Sequence, residues 1–369
     1  MQWSTFTAVA ALLAQNVNAQ GSMLRFACSQ LVVERTDPLV NPGMKYTPHL
    51  HQIVGGNSFN VSMDPDNDPA KLSTCTSCSF VQDKSNYWTA VMFFHHKNGS
   101  YIRVPQTGNG GPQGKLINKG GLDIYYIPSG KTTAFKKGFR MLAGSATNTD
   151  DSKVAKGNIC HRCWTSPNED TFVGAQPCSG SDTVAIPSDP KCKMIRQTII
   201  FPTNLDSPNH QSHVSYGQGS GATGGGSCPS THPVKLPQIM YELMWNVTNF
   251  SDKNQWPTDG SKPFVYSMNL GSGAAAHGDY VFGWEGDSLQ KAMDNGCNLN
   301  TACPKAGLTT QSDAQYSACT KKQQAPEDVD GCKSPVPSLL PQHHANLPSQ
   351  GSRLSPWATW PSRHEVVAM

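Results

Sequence analysis

Twelve cysteines constrain this 369-residue chain more than any other feature. They are Cys28, Cys75, Cys78, Cys160, Cys163, Cys178, Cys192, Cys228, Cys297, Cys303, Cys319 and Cys332. Cys75/Cys78 and Cys160/Cys163 each have the C-x2-C spacing of half a zinc ribbon. Residues 79–159 separate the two pairs, far more chain than a compact ribbon uses. The alternative is a set of disulfides, which requires an oxidising compartment. Cysteine order alone does not give the connectivity. Each bridge that closes a loop stabilises by roughly 2–4 kcal/mol, which suits a fold rich in loops. Loops are expected here, because the chain has 33 Gly and 27 Pro.

The N-terminus supplies the export signal that disulfides need. Phe6 to Leu13 is a short apolar core, and Val17-Asn18-Ala19 places a small residue before a cleavage point. Residues 1–19 therefore read as a signal peptide. N-x-S/T sequons at Asn60, Asn98, Asn246 and Asn249 fit a secreted, extracellular glycoprotein. No stretch approaches the roughly 20 apolar residues that would span a membrane. The net charge is +3 without any Lys/Arg run, so nucleic acid is not an expected partner.

Short apolar runs between turn signals predict a β-rich fold. Leu24 to Glu34, Tyr87 to His95, Leu122 to Ile127, Phe139 to Ala143, Met194 to Phe201 and Ile239 to Val247 read as strands. Asn98-Gly99 between YWTAVMFFH and SYIRV is a hairpin signal. One short helix is expected over 288–295, capped by Asp287 and ended by Gly296. From about Ala325 the sequence turns to Pro, Ser, Gln and His and reads as a disordered tail. The expectation is a β-dominated sandwich or jelly-roll-like domain over 20–324, stapled by disulfides, followed by the tail over 325–369.

Grouped histidines and carboxylates mark a polar site. In HLHQIVGGN, His49 and His51 share one face if the segment is extended, because strand side chains alternate. Asp206, His210 and His213 lie close together in LDSPNHQSHVSY. His232 precedes a proline, and His277 and Asp279 open HGDYVFGWEGD. Two chemistries use such a set. His49, His51 and His210 are candidate ligands for a divalent metal such as copper or zinc. Alternatively, histidines beside aspartates move protons at a glycosidic bond, or Glu242, Asp279 and Glu285 supply paired carboxylates. Trp284 is the candidate platform for stacking a sugar. No phosphate loop, dinucleotide fingerprint or nucleophile elbow is present.

These segments carry a family resemblance. RTDPLVNPG, HLHQIVGGNSF, STCTSC, YWTAVMFF, GFRMLAG, LDSPNHQSHVSY, CPSTHPVKLP and HGDYVFGWEGD occur in this order from about Phe26 to Trp284. The chain resembles the secreted fungal and actinobacterial domain-of-unknown-function family DUF1996. In fungi that family is often joined to WSC carbohydrate-binding modules. Its recurrent polar positions fall on His51, Asp206, His210, His213, His232, His277 and Asp279. This sequence lacks the family's usual Cys-Trp-Asp-Gly insert after Phe201-Pro202 and has Asn209 where Asp is frequent.

The resemblance implies work on polysaccharide or cell wall, and the clustered His/Asp motifs without a cofactor fingerprint point to hydrolysis or elimination. On that expectation His51, Asp206, His210, His277 and Asp279 are catalytic, and His213, His232 and Trp284 bind substrate. A non-catalytic wall or host-surface binding protein is the second expectation, and an extracellular metal-binding protein the third.

Overall fold

The computed structural model describes residues 23–108, 120–166, 177–207, 213–217, 226–267, 271–298 and 303–330. The expected signal peptide, His210, Cys332 and most of the expected tail lie outside them.

Ten strands form two main sheets. They are β1 (Leu24–Ser29), β2 (Val32–Glu34), β3 (His51–Gly55), β4 (Asn86–Ala90), β5 (Gly121–Ile127), β6 (Arg140–Gly144), β7 (Ile159–Trp164), β8 (Met194–Ile200), β9 (Gln238–Asn246) and β10 (His277–Val281). The first sheet has the order β1-β5-β9-β8-β7, with the short strand Gln106–Thr107 added to β9. The second has the order β2-β3-β4-β10-β6. Neighbouring strands in both sheets pair antiparallel.

Alternation explains how the sheets stack. Leu24, Phe26, Leu122, Ile124, Ile239 and Tyr241 point inward from the first sheet, and Val54, Tyr87, Tyr280 and Met141 from the second. These belong to one buried apolar cluster, so the fold is a β-sandwich. The second sheet buries its other face too. Ile53, Trp88 and Val281 pack there against Phe59 and Met63 of the connection after β3.

The expected strand over 87–95 breaks at Val91. Met92–His95 leaves the main sheet and pairs with Tyr101–Arg103 across the Asn98-Gly99 turn, where Gly99 has φ 82°. The expected helix is present as Ser288–Asp294, but Asp287 makes no side-chain cap bond. It pairs instead with Lys291 at 2.8 Å.

Neither C-x2-C motif pairs internally. Cys28 bonds Cys78, Cys75 bonds Cys319, Cys160 bonds Cys178, Cys163 bonds Cys192 and Cys297 bonds Cys303. Cys228 forms no disulfide with another of the described residues. The folded part also extends beyond the expected boundary at 324. Ala325 is fully buried, Gln324 and Ala325 donate backbone N–H groups to Glu34, and Glu327 pairs with Arg35 at 2.7 Å.

His161 in β7 is held as a neutral ring. Its Nδ1–H donates to the Val184 carbonyl at 2.8 Å, and its Nε2 accepts from the Tyr266 hydroxyl at 2.6 Å. Burial pushes its pKa down from the ordinary 6.5 to about 4. Because the unfolded chain binds that proton more readily, this ring's contribution is full above pH 6.5 and lost as pH falls through 4. It amounts to roughly 3 kcal/mol. Denaturant titrations between pH 4 and 7 should show stability rising with pH, with a shallower slope in His161→Gln.

Candidate metal centre

Three histidines converge on the outer face of the second sheet. His51 opens β3 and His277 opens β10, two strands away, with β4 between them. The β4 residue paired with His51 is Ala90, which follows Thr89, the partner of Gly278. A methyl group at that position leaves room for the two imidazoles to meet above it. His49 reaches the same point from the loop before β3. That loop is fixed by the Leu50 N–H donating to Ser267 Oγ at 2.9 Å. The His49 ring centroid lies 4.4 Å from that of His51 and 5.0 Å from that of His277. One ligand nitrogen from each histidine falls within 4.8 Å of the others.

The backbone fixes the tautomers. His51 Nδ1 lies 3.0 Å from the Thr36 carbonyl, and His277 Nδ1 lies 3.0 Å from the Ala275 carbonyl. A carbonyl only accepts, so both Nδ1 atoms carry the proton. Both Nε2 atoms then present lone pairs, and they face each other at 3.2 Å. The buried Nε2 of His49 has no hydrogen-bond partner among the described residues. Protonation relieves this conflict poorly, because burial lowers the pKa of all three rings. In His49 and His51 the neighbouring imidazoles lower it further.

A metal ion relieves it well. Two nitrogens bound at about 2.0–2.1 Å in a tetrahedral site lie roughly 3.3 Å apart. The observed 3.2 Å matches that spacing. Nδ1–H bonded to a carbonyl is also the usual orienting contact of a metal-bound histidine.

Asp279 supplies the missing charge. It lies two residues after His277 and so shares its face of β10. It is 0% exposed, and neither carboxylate oxygen has a hydrogen-bond partner among the described residues. Its Oδ2 lies 3.9 Å from His277 Nε2. Burial first, and Asp37 second, push its pKa well above the usual carboxylate range. A bound cation reverses that direction, since it favours the ionised form. Asp37 itself is committed elsewhere, accepting the N–H groups of Leu39 and Val40 at 3.1 Å.

The structure thus groups His49, His51, His277 and Asp279, and gives Asp206, His213, His232 and Trp284 other partners. Asp206 and His213 flank a small sheet made by Asn204–Leu205, Val214–Ser215 and Val234–Lys235. They pair there at 3.2 Å, and His213 is exposed. His232 bonds its neighbour Thr231 at 2.9 Å. His210 lies outside the described residues, and His277 is the histidine that the structure groups with His49 and His51.

Trp284 is not exposed as the expected stacking platform. It is 2% exposed, its rings pack on Phe26 and Tyr126, and its indole N–H donates to the Tyr126 hydroxyl. The carboxylates proposed as a pair also have separate surroundings. Glu285 pairs with Lys84 at 2.6 Å, whereas Glu242 lies on the first sheet, bonded by Tyr125 and 3.5 Å from Arg196.

Residue-by-residue reading missed a buried polar row around Glu242. Arg25 pairs with Asp123 at 2.7 Å, and Asp182 meets Arg196 at 3.2 Å and also Arg162. Its signal was a single charge at an alternate position of an apolar strand, as in LRFACS and GLDIYYI.

The domain of unknown function (DUF1996) matches residues 37–284. The chain belongs to that family. No curated protein and no solved structure matches significantly. All four residues of the cluster fall inside the matched span, whereas β1, β2 and residues 285–330 fall outside it.

The environment of Asp279 yields opposite expectations with and without metal. In metal-free protein Asp279→Asn should raise the melting temperature, because it removes an uncompensated buried carboxyl. The same change should weaken metal binding by about 10–100-fold. Thermal melts with and without added zinc, together with calorimetric titration, test both directions.

Proposed function

We propose that this chain is a secreted metalloprotein that holds one divalent transition-metal ion between His49, His51, His277 and Asp279. The observation that carries the reading is the pair of facing, unprotonated Nε2 atoms beside an unpartnered buried carboxylate. Three imidazoles and one carboxylate favour zinc or copper. Calcium and magnesium call for oxygen-rich shells. Four protein ligands fill a tetrahedral shell, so the centre is a closed holding site and not one that keeps a water for hydrolysis.

Secretion is supported by the five disulfides and by the exposed sequons at Asn60, Asn98 and Asn249. No helix among the described residues is long and apolar enough to cross a membrane. The wall polysaccharide implied by the family resemblance is, on this reading, a surface with which the protein associates. It is not a substrate cut at the histidines, because His51 and Asp279 are 0% exposed.

Elemental analysis of protein secreted without an affinity tag tests the proposal. One equivalent of zinc or copper is expected, lost in His51→Ala and His277→Ala while Trp fluorescence shows both variants folded. Wild-type protein that retains no transition metal after incubation with zinc or copper and desalting would overturn it.

A further inference from the structure

A metal centre this buried needs a way in. None of its four ligand residues is more than 7% exposed, so an ion passes only when the chain around them opens. His51 and His277 lie on strands paired on both edges, β3 between β2 and β4, and β10 between β4 and β6. The weaker wall is the connection from Arg35 to Leu50, in which no helix or strand forms. It carries the Thr36 carbonyl that orients His51, and it carries His49 itself.

A second stretch of coil, Gln323 to Asp330, lies against that connection and fastens it. Glu34, at the end of β2, is 0% exposed and makes the first fastening. Its carboxylate accepts the Thr36 hydroxyl at 3.1 Å, the Gln324 side-chain N–H at 3.1 Å and the backbone N–H groups of Gln324 and Ala325. Arg35 makes the second. Its guanidinium donates to Glu327 at 2.7 Å and to the Pro48 carbonyl, beside His49, at 3.1 Å. Val329 makes the third, packing on the apolar cluster that contains Val33 and Leu50. Each polar fastening uses a side chain, and none is a strand pairing. The root of the coil is fixed, because Cys319 is bonded to Cys75. Such a segment opens at lower cost than the sheet beneath it. It also lies outside the family span of 37–284, although the ligands it secures lie inside.

We infer that Gln323 to Val329 is a clasp that sets how fast metal enters and leaves the centre, with Glu34, Arg35 and Glu327 as its positioning residues. The inference rests on the metal-centre reading and adds the route and rate of exchange. With the clasp shut, Glu34 holds Thr36, whose carbonyl orients the His51 ring, and Arg35 holds Pro48 and so His49. With the clasp released, both supports loosen together. Two of the three imidazoles then lose their aim, while β10 keeps His277 and Asp279 in place. An ion exchanges through this half-opened shell without unfolding of the sandwich. None of the three positioning residues belongs to the ligand cluster, so their loss changes the rate of exchange and not the number of ions bound.

Release of zinc from the loaded, secreted chain to an excess of coloured chelator tests the clasp. Glu327→Gln and Glu34→Gln should each release zinc about tenfold faster than wild type, the effect of losing one charge-assisted hydrogen bond. Both should still bind one equivalent, and with cobalt in place of zinc both should keep the wild-type visible spectrum, which reports the ligands. Asp287→Asn, which breaks the exposed pair with Lys291, should leave the rate unchanged. Hydrogen exchange of metal-free protein gives an independent readout. Glu327→Gln should speed exchange over 36–50 and 321–330 together and leave β4 and β10 protected. One equivalent of bound zinc with an unchanged release rate in both variants would overturn the clasp and leave the metal centre standing. Faster hydrogen exchange confined to 321–330 would do the same. A wild type that retains no metal would remove both.

Discussion

Two imidazole nitrogens that face each other without a proton are the interaction on which the rest of this site depends. The Thr36 and Ala275 carbonyls claim the only proton each neutral ring carries. The rings are too buried to charge easily, and burial holds the Asp279 carboxyl toward its neutral form with no hydrogen-bond partner for either oxygen among the described residues. Each feature alone is costly. Together they describe a buried pocket with three nitrogen donors and an oxygen donor. A small divalent cation converts every one of these costs into a bond.

The sandwich explains how so dense a polar cluster is tolerated. Both faces of the second sheet are covered, the inner by the first sheet and the outer by connections before and after β3. Disulfides hold those connections in place. Cys28–Cys78 and Cys75–Cys319 clamp the segment over 75–78 between β1 and the C-terminal region. Arg35, next to the His51-anchoring Thr36, is held by Glu327. The strand that carries the ligands therefore sits in a frame closed by residues from both ends of the folded chain. It can position side chains to the few tenths of an ångström that metal coordination requires.

Much of this was legible in the sequence. Alternation and turn chemistry located most of the main strands, and the secretory pattern favoured disulfides over zinc ribbons. His277 and Asp279 sit two residues apart, a spacing that places both on one face of a strand. His49 and His51 also converge, although only His51 lies in β3 and His49 arrives from the loop. Three things were not legible. Cysteine pairing depends on which loops cross, so Cys75 and Cys78 part company. The burial of Trp284 depends on the opposite sheet, where Phe26 and Tyr126 enclose it. Convergence of His51 with His277 depends on strand order, and no local pattern states that β4 lies between their strands.

X-ray absorption at the metal edge tests the central claim most directly. The account predicts a first shell of three imidazole nitrogens at about 2.0–2.1 Å and one oxygen, with one imidazole lost in His277→Ala. A shell of oxygens alone, or one that His277→Ala leaves unchanged, would contradict it.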